Sequence, residues 1–97
     1  MMELIIVDGP GSAQPAPSLD AAIATKIVEI KAEAERRITA LDWRLQRAQE
    51  REQLGETGFE SVAEVLALRE QIRQASSAVE LVVRELESVE KVVSFSW

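Results

Sequence analysis

Val65-Leu66-Ala67-Leu68-Arg69-Glu70-Gln71-Ile72-Arg73-Gln74-Ala75-Ser76-Ser77-Ala78-Val79 opens the seam that decides the fold. From Val65 the apolar positions are Val65, Leu68, Ile72, Ala75, Val79, Val82, Leu86, Val89 and Val93, in steps alternating three and four. That period places one apolar stripe along a helix. Upstream, a second stripe reads Ile23, Ile27, Ile30, Ala34, Ile38, Leu41, Leu45 and Ala48. Folding the chain back between Glu56 and Thr57 sets Ala48 opposite Val65, Leu45 opposite Leu68 and Leu41 opposite Ile72. The expected fold is therefore all-α: an antiparallel two-helix coiled-coil hairpin.

The signals at the helix ends agree. Ser18 is a good N-cap, with Asp20 in the first turn. The first helix should run over about 18–53, with Gly55 just past its end. Two successive steps of four around Ala34 mark a local stutter. Glu33 and Arg37 form a well-oriented pair four residues apart. Thr57 with Glu60 and Ser61 with Glu64 are overlapping capping boxes, so the second helix starts near Gly58 or Val62. Its expected span is about 58–91, with Glu80–Arg84 and Glu87–Lys91 as outer-face pairs.

Both ends of the chain read differently from its middle. Met1–Asp8 holds Leu-Ile-Ile-Val, a short β-prone run. Pro10, Pro15 and Pro17 make the following stretch extended and unable to continue a helix. Residues 1–17 thus read as an apolar strand on a Pro-rich tether, and 18–97 as the helical unit. Residues 92–97, Val-Val-Ser-Phe-Ser-Trp, alternate like a strand and put Phe95 and Trp97 on one side.

A bare hairpin leaves side chains unaccounted for. Leu66, Leu81 and Val83 lie off the seam, and burying one such residue is worth about 1.5–3 kcal/mol. A parallel dimer of the second helix would set Glu85 against Glu90, a like-charge clash. A higher-order bundle or docking on a larger protein is the expectation, hence a homo-oligomer or a bound partner. Ile5, Val7, Leu66, Leu81, Val83, Phe95 and Trp97 are the candidate interaction residues.

Chemistry is poorly served. His, Cys and Tyr are absent from the sequence, which removes the commonest general base, metal ligand and thiol nucleophile. Glu33/Glu35, Glu50/Glu52 and Glu85/Glu87 are two apart and fall on different helix faces. No catalytic, cofactor or metal residue is expected, and the chain reads as no enzyme. The net charge is −6. Ser18–Leu54 is balanced, whereas Gly55–Trp97 carries four basic and eight acidic residues. Nucleic acid is not an expected partner of such a surface. No apolar run reaches the roughly 18 residues of a membrane span, so no membrane partner is expected, and Met1–Val7 lacks the basic start of a secretory signal. Arg37, Arg44, Arg47 and Arg51 could share a stripe facing an acidic partner or the acidic later helix of a second copy. A solvated face interleaved with Asp42, Glu50 and Glu52 is the simpler reading. Trp43, beside the seam, reads as a packing anchor.

Ile38-Thr39-Ala40-Leu41-Asp42-Trp43-Arg44-Leu45 and Arg69-Glu70-Gln71-Ile72-Arg73-Gln74-Ala75-Ser76 resemble helical segments of tailed-bacteriophage tail-assembly and tail-fibre accessory proteins. The short apolar strand, Pro-rich tether and Lys/Ala/Glu/Arg helix are similar too, over roughly residues 2–80. Fuller members carry a larger N-terminal fibre-binding part that this chain lacks, so a fibre-chaperone activity does not transfer. The resemblance implies a non-catalytic structural or assembly component bound to phage tail or tail-fibre proteins, in the virion tail or in the host cytoplasm during assembly. The alternative from charge is an acidic regulatory binder, inhibitor-like or antitoxin-like, whose second half mimics nucleic acid before a host protein.

Overall fold

The computed structural model describes residues 17–97. The expected strand and tether, with Ile5 and Val7, lie outside them. Within them the fold is all-α, with four helices: α1 (Leu19–Thr39), α2 (Asp42–Gln53), α3 (Val62–Arg84) and α4 (Val89–Ser94).

α1 begins where its cap allows. Ser18 is extended and its hydroxyl accepts from the Ala21 amide at 3.0 Å, satisfying one of the four free donors of the first turn. The expected single helix over 18–53 is instead broken at Ala40–Leu41. There the Leu41 amide turns back to the Ile38 carbonyl, three residues away, at 3.0 Å. That tightened turn ends α1, and α2 restarts with Leu45 N bonding Leu41 O at 2.9 Å. Leu41 stays buried through the break and joins Ala48 and Val65 in one core cluster, with Leu45, Leu68 and Ile72 packed against it.

α2 closes with a double bond pattern at Gly55. The Gly55 amide reaches Glu52 O at 3.1 Å, and the Glu56 amide reaches Arg51 O at 3.0 Å. Gly55 has φ 73°, a left-handed conformation that glycine adopts without a side-chain clash. α3 then starts at Val62 rather than 58. Ser61 Oγ accepts from Glu64 N at 3.0 Å, and Glu64 Oε1 accepts from Ser61 N at 2.8 Å. This second capping box is formed. Thr57 does not cap, because no helix starts behind it, Gly58 having φ 84°, and Glu60 turns to Arg44. Across the connection Glu52 Oε2 accepts from the Val62 amide at 2.8 Å, so the end of α2 is tied to the first amide of α3.

Contacts between the two halves fall in reversed order along the chain. Arg44 meets Glu60, Lys31 meets Glu80, and Lys26 meets the carbonyls of Val93 and Phe95. The seam departs from the expected register after Ile72. Ser76 and Val83 face inward, not Ala75 and Val82. Val83 is 0% exposed, whereas Val82 is 50% exposed. The expectation that Val83 lies off the seam, free for an outside partner, is thus corrected. The extra step of four from Ile72 to Ser76 repeats the one at Ala34, and both small residues line the same shallow groove with Ile38. A stutter on one helix has to be matched on its neighbour if inward faces are to stay opposed.

The second helix ends at Arg84, short of the expected 91. Residues 92–97 are not strand-like: α4 takes up Val92 and Val93. Ser88 Oγ accepts from the Lys91 amide at 3.1 Å and starts a new helix after the Glu85–Ser88 bend. Burial decides it. Val92 has no exposed surface and joins Ala22, Ile27, Ile30 and Val83 in the second core cluster. Local β-propensity is overridden when helix geometry buries the side chain. Glu87 falls in the bend, so the expected Glu87–Lys91 helical pair does not form.

Candidate interaction surface

Three surfaces carry the unusual side chains. The first is the stretch after α4, laid along α1. Lys26 Nζ donates to Phe95 O at 3.0 Å and to Val93 O at 3.3 Å, occupying carbonyls that the end of a short helix leaves free. Further along, Arg37 Nη2 donates to Trp97 O at 3.0 Å, and the Arg37 guanidinium sits 4.1 Å from the centre of the Trp97 ring. Phe95 and Trp97 are half-buried and pack on the core cluster of α1. These two candidates are therefore engaged by their own chain. A lysine and an arginine eleven residues apart fix them, a relation that period alone does not reveal.

The second surface flanks the connection between α2 and α3. Trp43, Arg47 and Arg51 are spaced four apart and lie on one side of α2. Trp43 is 59% exposed and carries Arg47 at 5.1 Å from its ring. It is a platform on the surface, not the packing anchor expected. Arg51 lies 3.9 Å from the Phe59 ring centre, and its Nε is 4.0 Å from Glu56. Arg44 forms a two-pronged ion pair with Glu60, one prong at 3.0 Å from Nε to Oε2. Trp43, Arg44, Arg47, Ala48, Arg51 and Glu60 line a depression of about 190 Å³. The expected arginine stripe is thus split, with Arg37 on the α4 side and the others here.

Electrostatics at these pairs is local. The hydrogen bonds from Arg44 hold the Glu60 carboxyl below the usual carboxylate range and keep the guanidinium more firmly protonated. Glu33 is lowered likewise, first by the hydrogen bond from Arg36 (2.6 Å) and then by that from Arg37 (2.9 Å).

The third surface is the outer face of α3. Leu66 is 47% and Leu81 63% exposed, beside half-exposed Val82. Of the seven residues singled out from the sequence, these two stand free on the surface, Val83 is interior, and Ile5 and Val7 are outside the described residues. Among the described residues no cluster of three or more carboxylates could hold a metal ion, and no helix is long and apolar enough to cross a membrane.

Comparison with protein-family models, with curated proteins and with solved structures gives no match to this chain.

Proposed function

We propose that this chain is a non-enzymatic assembly component whose helices act as a rigid antiparallel hairpin, with coiled-coil packing along the seam and a further layer supplied by other subunits in a higher-order bundle. The observation that carries it is the outer face of α3. Leu81 and Val82 stand exposed directly beside fully buried Val83, so one helix offers apolar surface on two sides. An isolated unit gains nothing from the outer side. Covering it by a neighbour is worth about 25 cal/mol for each Å² of apolar area removed from water. The reversed order of contacts, from Arg44–Glu60 through Lys31–Glu80 to Lys26–Phe95, supports the hairpin reading.

The setting we propose is a tailed-phage particle, or the host cytoplasm in which one is built, with tail or tail-fibre proteins as partners. It rests on the likeness of Ile38–Leu45 and Arg69–Ser76 to tail-assembly proteins. Asp42-Trp43 from the first segment opens α2 and displays its indole outward, as a docking contact requires.

Co-expression with the proteins encoded beside it tests the proposal. Recovery of a tail subunit that Leu66→Glu with Leu81→Glu abolishes, helicity being kept, is the expected result. Recovery of only a DNA- or RNA-binding host enzyme would replace it with the acidic regulatory reading.

A further inference from the structure

The two far ends of the helical unit are complementary to each other and cannot meet within one molecule. At one end, beside the α2–α3 connection, Trp43, Arg47, Arg51 and Phe59 make a basic, aromatic stripe, flanked by exposed Asp42, Glu50, Glu52 and Glu56. Arg44 is neutralised there by Glu60. Arg47 makes no ion pair among the described residues, and Arg51 reaches Glu56 only at 4.0 Å. At the other end, around the α3–α4 bend, Glu85, Glu87 and Glu90 are all exposed and make no ion pair among the described residues. Their neighbours in sequence are Arg84, which lies 4.0 Å from Glu80, and Lys91, which is exposed. Half-exposed Val82 sits one turn before Glu85, and exposed Val93 one turn after Glu90. α3, with 23 residues, separates the ends by about 35 Å at 1.5 Å per residue.

From this charge and apolar complementarity we propose that a second copy of the chain is the occupant of the arginine–tryptophan face, presenting its Glu85–Glu90 bend, so that copies associate head to tail. Arg47 and Arg51 would receive the carboxylates, and Trp43 and Phe59 would cover Val82 and Val93. Arginine and tryptophan are the residue types on which interface energy concentrates. Like ends repel, since arginine face would meet arginine face and carboxylate would meet carboxylate. That disfavours a two-fold dimer through either end. A heterologous contact of this kind has no built-in stop, and it propagates into a filament or closes into a ring. This inference rests on the assembly reading and gives it a geometry.

The test is sedimentation velocity on the full chain over a concentration series at low and high salt. Two variants accompany it, Arg47→Gln with Arg51→Gln and Glu85→Gln with Glu90→Gln, which remove charge at one end without creating a new complementary one and whose helicity is checked by circular dichroism. The wild type should grow in mass with concentration, less so in high salt. Each variant alone should stay monomeric. Mixed in equal amounts, the two should form a capped dimer of twice the monomer mass and nothing larger, because each retains one intact end. The inference is overturned by a wild type that stays monomeric throughout, or by variants that associate as the wild type does. It is equally overturned by a mixture no heavier than its components. A wild type whose association survives both end variants but dissolves with Leu66→Glu and Leu81→Glu leaves lateral docking standing and ends the head-to-tail arrangement alone.

Discussion

Arg37 clasps Trp97 twice, by a 3.0 Å hydrogen bond to its carbonyl and by a guanidinium 4.1 Å from its ring centre. Sixty residues of sequence separate the two, so the contact holds the segment after α4 against α1. Trp97→Ala and Arg37→Ala should each destabilise the fold. In a double-mutant cycle their coupling should be about 0.5–1 kcal/mol, the usual size of a cation–π pair near the surface. Urea unfolding followed by circular dichroism measures it. Zero coupling would mean that the ring rests on the α1 core without help from the guanidinium.

Neighbouring valines should answer very differently to truncation. Val83→Ala removes two methyl groups from a fully buried site and should cost about 2 kcal/mol. Val82→Ala, at a half-exposed site, should stay within about 0.5 kcal/mol. Likewise Ser76→Asp puts a carboxylate on a buried position and should destabilise, while Ala75→Asp, at an exposed position, costs less. Reversed rankings in thermal unfolding would restore the unshifted seam.

That pair of neighbours also marks how far the sequence could be read. The stripe from Val65 to Ile72 and its partners Leu41, Leu45 and Ala48 were legible, because apolar period is a direct image of the buried face. So were Ser18, Gly55 and the Ser61–Glu64 box, since capping is written in adjacent residues. The slip to Ser76 and Val83 was not legible. Ala75 and Val82 are as apolar as their successors, and only the stutter on the facing helix selects between them. α4 was hidden for a different reason: Val92-Val93-Ser94-Phe95 looks like a strand until Val92 finds the pocket made by Ile27, Ile30 and Val83. The display of Trp43 and the engagement of Trp97 depend on arginines whose reach no periodicity encodes.

The connection between α2 and α3 should be sensitive at two residues. Gly55→Ala forces a Cβ into a left-handed φ of 73° and should cost about 1–2 kcal/mol, although open space surrounds the position. Ser61→Ala breaks the capping box and should cost about 1 kcal/mol. Denaturation midpoints at constant slope are the readout; a neutral Gly55→Ala would mean that the turn relaxes into another conformation.

Acid should weaken the fold in a defined window. Glu60 and Glu33 are held below the usual carboxylate range by Arg44 and by Arg36 and Arg37. A depressed native value means the unfolded chain takes up protons first as pH falls. The stabilisation from these pairs is therefore complete above the ordinary carboxylate pKa and is lost as pH drops through the lowered native values. Glu60→Gln should flatten the acid limb of a stability–pH profile and leave its neutral-to-alkaline part level. An unchanged acid limb would show that solvent screens the Arg44 pair completely.

The bond from Glu52 to the Val62 amide imposes a timetable. It closes a ring of only ten residues, whereas Lys26 must find Phe95 across sixty-nine. Short closures lose less chain entropy and are met sooner. Folding should zip outward from that bend, and the flap of α4 should latch last. What latches last tends to open first, so amide hydrogens of Val92–Phe95 should exchange with solvent well ahead of those around Val65.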